Sequence, residues 1–145
     1  MRHTLCMSKY NTGHAELDLR HHEMVSCFDK IDRAITGIIN YINLGRLGDE
    51  FIELCAIHAH VEFYFFIDHG RDFDSSAIDT LAHELDCAIR RKAGMSCLMT
   101  IADNLSVALM VDILTGKVEM DRLASDEHHN FVGLWGTSPP HLSQA

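Results

Sequence analysis

His58 and Glu62 carry the strongest chemical signal in this sequence. They stand four residues apart in a largely apolar run, FIELCAIHAHVEFYFFIDH, at positions 51–69. In a helix this spacing places an imidazole and a carboxylate one turn apart on the same face. The apolar stripe on that face predicts burial, where an unpaired carboxylate is strongly unfavourable. Binding of a metal ion is the chemistry that the pair favours. A buried ion pair is the alternative.

Polar side chains also stand in or near the apolar stripes of the other helical segments. His21 lies inside the first stripe, and Asp112 closes the fourth where an apolar residue is expected. Asp79 and His83 are four residues apart on the polar side of the third segment, where a solvated face is the alternative. For His21 the alternative is a hydrogen-bonded core histidine, and for Asp112 a helix-end carboxylate. The sequence therefore offers six candidate metal ligands: His21, His58, Glu62, Asp79, His83 and Asp112.

Apolar residues at steps of three and four predict the helices that position these groups. Gly45 and Gly48 mark a turn after the first helix, Gly94 ends the third and Gly116 ends the fourth. The predicted helices cover residues 15–43, 49–67, 77–92 and 97–114, and a further short helix covers 118–130.

Short connections between these helices favour antiparallel neighbours. The predicted fold class is therefore all-α, an up-down-up-down four-helix bundle with a short C-terminal helix or tail. We assign residues 1–132 to the bundle and 133–145 to a flexible tail. In this order the candidate ligands converge on one end of the bundle.

Composition narrows the expected partners and location. The net charge of −9 disfavours nucleic acid and anionic membranes as partners. The N-terminus lacks the apolar core of a signal peptide, and no uninterrupted apolar run approaches the ~18 residues of a membrane span, so we expect no membrane association. Five cysteines without a CxxC pair are typical of reduced thiols, and the expected location is cytoplasmic.

Two short motifs resemble the hemerythrin family, particularly its single-domain bacterial members. The first runs from Gly13 through Asp18 to His21, and the second is the pair His58 and Glu62. The resemblance implies a four-helix bundle that holds two non-haem irons, with Glu62 bridging them and His21 and His58 as terminal ligands. It further implies reversible binding of dioxygen or a similar diatomic molecule, or sensing of oxygen or redox state, and no enzymatic activity.

The second half of the chain departs from the family pattern. The family's third helix carries two histidines four apart, where this chain has Asp79 and His83. Its fourth helix carries a histidine followed five residues later by aspartate, and here Asp112 has no such histidine. The sequence therefore leaves open whether the chain binds two irons, one metal ion or none. The alternative function is a metal-free signalling or interaction module, including phosphotransfer through His83. A signalling protein or a second copy of the chain would be its partner.

Overall fold

The structure, a computed structural model, describes residues 11–68 and 76–135, and within them all side chains except those of residues 65–68 and 126–135. These residues form only helices: α1 (Ala15–Thr36), α2 (Tyr41–Asp68), α3 (Ser76–Arg90) and α4 (Met95–Trp135). Each helix packs against the next, and α4 returns to α1, which closes the ring. The predicted all-α class and four-helix bundle are therefore confirmed.

The first helix ends earlier than predicted. Gly37 follows its last residue, and the side chain of Asn40 accepts hydrogen bonds from the backbone N–H groups of Ile42 and Asn43, both at 3.1 Å. Asn40 thereby caps the start of α2. The stripe predicted to continue to residue 42 is wrong beyond Ile35, because Ile38 is fully exposed and Ile42 is 89% exposed.

The predicted turn at Gly45 and Gly48 is also wrong, since both glycines lie inside α2. A Cβ atom on Gly45 would lie 3.9 Å from the Ile89 side chain, and one on Gly48 only 3.4 Å from it. A Cβ at either position would make ordinary van der Waals contact with Ile89, so both glycines lie on the side of α2 that packs against α3, and they do not mark a helix end.

The fourth helix is longer than predicted. Gly116 does not end it, and the separate helix expected at 118–130 is part of α4. Gly116 is buried, and a Cβ there would lie 3.7 Å from the His21 ring. The helix includes residues 133–135 of the expected tail, and residues 136–145 lie outside the described residues.

The interior of the bundle is apolar over most of its length. Ile35, Leu44, Phe51 and Leu98 are almost fully buried, and α3 contributes Leu85. Burial of each such side chain contributes about 1.5–3 kcal/mol relative to exposure. These contacts hold the four helices in the positions that bring the polar groups together.

One segment of the described helices, Met95–Ser125 in α4, is long and apolar enough to cross a membrane by length and composition. A core helix of a helical bundle passes the same test. The buried side of α4 packs in the bundle through Leu105, Leu109 and Ile113.

Candidate metal centre

Four polar side chains from three helices meet inside the bundle. His21 comes from α1, His58 and Glu62 from α2, and Asp112 from α4. One ligating atom from each residue lies within 4.8 Å of the corresponding atoms of the others. None of the four is more than 6% exposed. We call this group the metal cluster.

Helix geometry explains the close approach. His58 and Glu62 are one turn apart, and the Nε2 atom of His58 contacts the Oε1 atom of Glu62. The same Nε2 atom lies 3.3 Å from Oδ2 of Asp112. His21 reaches across from α1, with its Nε2 atom 4.0 Å from Oε1 of Glu62 and its ring centre 4.8 Å from that of His58.

The cluster is short of hydrogen bonds. Within the described structure, both ring nitrogens of His21, Nε2 of His58, both carboxylate oxygens of Glu62 and Oδ2 of Asp112 are buried without a hydrogen-bond partner. Each unsatisfied buried polar group destabilises a fold by about 1–3 kcal/mol. The close contacts between these groups therefore do not offset the cost of burying them, as hydrogen bonds would. A cation held between the groups would offset this cost.

Electrostatics point the same way. Burial raises the pKa of Glu62 and, together with the charge of Glu62, raises the pKa of Asp112 to about 8. Burial also lowers the pKa of His58, which favours its neutral form. The imidazole of His58 therefore favours its neutral form, and the carboxylates beside it resist ionisation. The group contains no positive charge of its own that would stabilise ionised carboxylates. A divalent ion would supply the two positive charges that two ionised carboxylates require.

The size of the cluster suits one ion. Bonds from imidazole nitrogen and carboxylate oxygen to a transition metal are about 2.0–2.2 Å long, so two donors of one ion lie at most about 4.4 Å apart. The observed span of 4.8 Å needs only small side-chain adjustments. Imidazole and carboxylate donors together suit iron, zinc or manganese.

Apolar residues isolate the cluster from water along each helix. Leu17 and Met24, one turn before and after His21, are fully buried. On α4, Leu109 and Ile113 flank Asp112 and are 1% exposed. Cys55 precedes His58 by about one turn, and burial raises the pKa of its thiol, so the sulfur is a small neutral core group.

The structure does not bring the two candidates on α3 to the cluster. Asp79 and His83 are exposed, and Nδ1 of His83 lies 2.8 Å from the backbone oxygen of Asp79. They lie on the polar side of α3, because its buried side is taken by apolar residues such as Ile78 and Ala82. Among the described residues, no other group of three or more histidine, cysteine or acidic side chains gathers at metal-binding distances.

Two further sequence interpretations change with the structure. Asp18, which the sequence places in the first family motif, accepts hydrogen bonds from Thr12 and Gly13 through its carboxylate and so fixes the start of α1. Gly116 was expected only to end a helix. Its place one turn after Asp112 on the buried side of α4 was the signal that it lies beside the site.

We compared the chain with profiles of known protein families, with curated proteins and with solved structures, and none of them matches. The functional argument therefore depends on the residues of this chain and their geometry.

Proposed function

We propose that this protein binds one non-haem iron ion through His21, His58, Glu62 and Asp112, and that the site binds or senses dioxygen or redox state in the manner of a hemerythrin-like protein. The observation that carries the proposal is the metal cluster itself. Four buried potential ligands converge from three helices, and six of their polar atoms lack hydrogen-bond partners in the described structure.

The resemblance to hemerythrins supports iron over the other metals that these donors suit. His21 and His58 are in the matching motifs, and Glu62 takes the place of the family's bridging carboxylate. We propose a single ion because this chain departs from the family pattern on α3 and α4. The two α3 candidates, Asp79 and His83, are exposed, and α4 contributes only Asp112 to the cluster.

An iron ion in this site would supply a redox-active centre, and four protein donors would leave coordination positions open for a diatomic ligand. The protein's own contribution is to hold the four donors in place and to keep bulk water away. On α1 and α4 the described turns beside the ligands are buried and apolar, and on α2 the buried Cys55 lies one turn before His58. By the same reasoning we expect a protein that carries or reports a small molecule and not an enzyme. The cytoplasmic location stays a prediction.

Iron content of purified variants tests the proposal. The wild-type chain, loaded anaerobically with ferrous iron and desalted, should retain about one iron per chain, whereas Glu62→Ala and His58→Ala should retain little. His60→Ala is the matched control, because His60 is an exposed histidine two residues from His58 on the same helix. Its iron content should equal that of the wild type.

Three results would contradict the proposal. Wild-type protein that retains no iron after anaerobic loading would exclude the metal function. Two irons per chain would mean that other residues complete a second site. Full iron content in the Glu62→Ala protein would remove Glu62 from the ligand set.

One observation favours a second candidate function, a metal-free interaction module. Val107, Val111, Leu114 and Val118 form an exposed aliphatic stripe on the outer side of α4, opposite the buried side that carries Asp112. Exposed apolar patches often mark protein-interaction surfaces. This candidate predicts that metal-free His58→Ala protein keeps or gains stability and that wild-type protein binds no metal.

Phosphotransfer through His83 is the narrower form of this candidate. The His83 side chain is 57% exposed, as a phosphorylated histidine must be. Incubation with low-molecular-weight phosphodonors should then label the wild type and not His83→Gln. An unlabelled wild-type chain would exclude this form.

A further inference from the structure

A groove lies at the end of the bundle away from the metal cluster. It has a volume of about 480 Å³ and lies between the first turns of α2 and the turn that joins α3 to α4, with Tyr41, Ile42, Arg46 and Lys92 in its lining. Tyr41 and His58 are 17 residues apart in α2, which corresponds to about 25 Å at a rise of about 1.5 Å per residue. The groove is therefore separate from the proposed metal site.

Positive charge predominates in this groove, although acidic residues outnumber basic residues by 21 to 12 in the chain. Its lining contains Arg46, Arg90 and Lys92 and one carboxylate, Asp49. Arg90 is held in place by Asp49 at 3.0 Å and by Asp86 at 2.7 Å. Arg90 and its two carboxylate partners together carry a net charge of −1, so with Arg46 and Lys92 the net charge at the groove is +1.

The other two cations remain available. Arg46 donates a hydrogen bond to the side-chain oxygen of Asn43 at 2.7 Å. Neither Arg46 nor Lys92 forms an ion pair with any carboxylate in the described part of the chain. In an acidic protein, two cations without carboxylate partners on one groove are a local anion-attracting surface.

The backbone conformation of Lys92 is a separate observation that points to a role for its side chain at the groove. Lys92 has φ of 56°, the left-handed conformation, at the position after α3 where helices favour glycine. Its N–H donates to the oxygen of Ile89, and the N–H of Ala93 donates to the oxygen of Ala88, which closes the helix end. A side chain at a position that favours glycine, on the edge of a groove, suggests a role for that side chain.

The remaining lining is largely apolar, and Tyr41 within it is held in place. The Tyr41 hydroxyl donates to the backbone oxygen of Ala93 at 2.6 Å, so the ring is fixed against the α3–α4 turn. Ile42 is 89% exposed at the groove, an unfavourable place for an aliphatic side chain in water. A ligand that covers these residues needs an apolar body as well as a negative charge.

We propose that this groove binds a small organic anion, whose carboxylate or phosphate group is held by Arg46 and Lys92 and whose apolar body covers Tyr41 and Ile42. The two cations satisfy the head group, and the body removes Ile42 from water. The proposal is independent of the metal cluster, and it needs no metal for its test.

Titration of the isotope-labelled chain with phenyl phosphate, followed by amide chemical shifts, tests the proposal. Saturable shifts should appear at residues 41–49 and 89–93. Inorganic phosphate should bind more weakly and phenol should produce no saturable shift at these positions. A parallel titration with benzoate identifies the preferred head group, since either anion would be held by the same two cations.

Substitutions give the second half of the test. Arg46→Gln and Lys92→Gly should each weaken phenyl phosphate binding by roughly tenfold, the usual loss for a charge-assisted contact. Lys92→Gly should at the same time raise the unfolding temperature, because glycine suits the left-handed backbone. This opposite movement separates loss of binding from loss of folding. Arg33→Gln is the control, since Arg33 is exposed on α1 outside the groove and pairs with Asp29.

Several outcomes would overturn the proposal. These are the absence of saturable shifts at millimolar phenyl phosphate, shifts confined to other parts of the chain, and inorganic phosphate binding as tight as that of phenyl phosphate. Unchanged affinity in both Arg46→Gln and Lys92→Gly would have the same meaning.

Discussion

The two ends of this bundle place different kinds of side chain at their buried interior positions. At the turn end, where α1 meets α2 and α3 meets α4, the interior holds Ile35, Leu44 and Leu98. At the cluster end, the same helices place His21, Glu62 and Asp112 at equally buried positions. The turn end therefore supplies stability through apolar burial, whereas the cluster end carries buried polar groups that, on our proposal, serve to bind a metal ion.

The largest expected effect is at the apolar part of the bundle. Phe51→Ala should lower the free energy of unfolding by about 3–5 kcal/mol, because it removes a large, fully buried side chain and leaves a cavity. Urea denaturation of metal-free protein measures the loss. Iron content per folded chain should be unchanged. A loss below about 1 kcal/mol would show that the interior here is not the main source of stability.

The next effect comes from the ion at the cluster end. Iron at about 1,000 times its dissociation constant should raise the free energy of unfolding by about 4 kcal/mol, since it binds only the folded chain. Thermal or urea denaturation with and without ferrous iron under anaerobic conditions measures it. Glu62→Ala should abolish the increase. An equal increase in that variant would place the bound iron elsewhere.

A smaller effect of opposite sign is expected when a cluster residue becomes apolar. Asp112→Leu should raise the stability of metal-free protein by about 1–3 kcal/mol, because it removes a buried carboxylate that lacks a full set of partners. The same variant should lose its iron. Leu105→Asp, the reverse change at a fully buried position of α4, should destabilise the chain and gives the matched comparison. If Asp112→Leu destabilised the metal-free protein instead, Asp112 would have a structural role.

The smallest expected effect is a pH dependence of stability that arises from the buried titratable groups at the cluster end. The pKa of Asp112 is raised from its ordinary value of 3.8 to about 8, so the folded state binds its proton more tightly than the unfolded state. The contribution of this group is fully present below pH 3.8 and is lost as pH rises through about 8. Metal-free wild-type protein should therefore lose stability relative to Asp112→Asn over this range.

His58 acts in the other direction, and the comparison with Asp112→Asn is designed to separate the two. Burial lowers the pKa of His58, so its contribution is present above its ordinary pKa of 6.5 and declines as pH falls through the lower folded value. Both proteins keep His58, so the effect of burial on His58 is common to both, and the difference between their stability profiles reports Asp112 together with the effect of its charge on His58. A flat difference between pH 4 and 8 would contradict the raised pKa of Asp112.

Sequence periodicity located the helices and all four residues of the cluster, for a physical reason. Buried stripes recur at steps of three and four, so a histidine or carboxylate within a stripe must face the interior. His21, His58, Glu62 and Asp112 were each identified in this way, and all four meet. Asp79 and His83 were candidates although they lie outside the apolar stripe of their helix, and the structure leaves them at the surface.

Helix ends were harder to predict, because glycine has more than one use. Gly45, Gly48 and Gly116 are inside helices and face neighbouring side chains, whereas Gly37 follows the last residue of α1. Only contacts made by distant residues distinguish these cases. The cap by Asn40 was a local signal that could have located the start of α2. The anion groove depends on how α2 meets the α3–α4 turn, so periodicity could not indicate it.

X-ray absorption at the iron edge of anaerobically loaded protein tests the central claim most directly. The account predicts one class of iron with two imidazole ligands and oxygen ligands at about 2.0–2.2 Å, and no iron–iron scattering. His60→Ala should give the same spectrum. An iron–iron distance, or a shell of oxygen atoms without imidazole, would contradict a single ion held by His21, His58, Glu62 and Asp112.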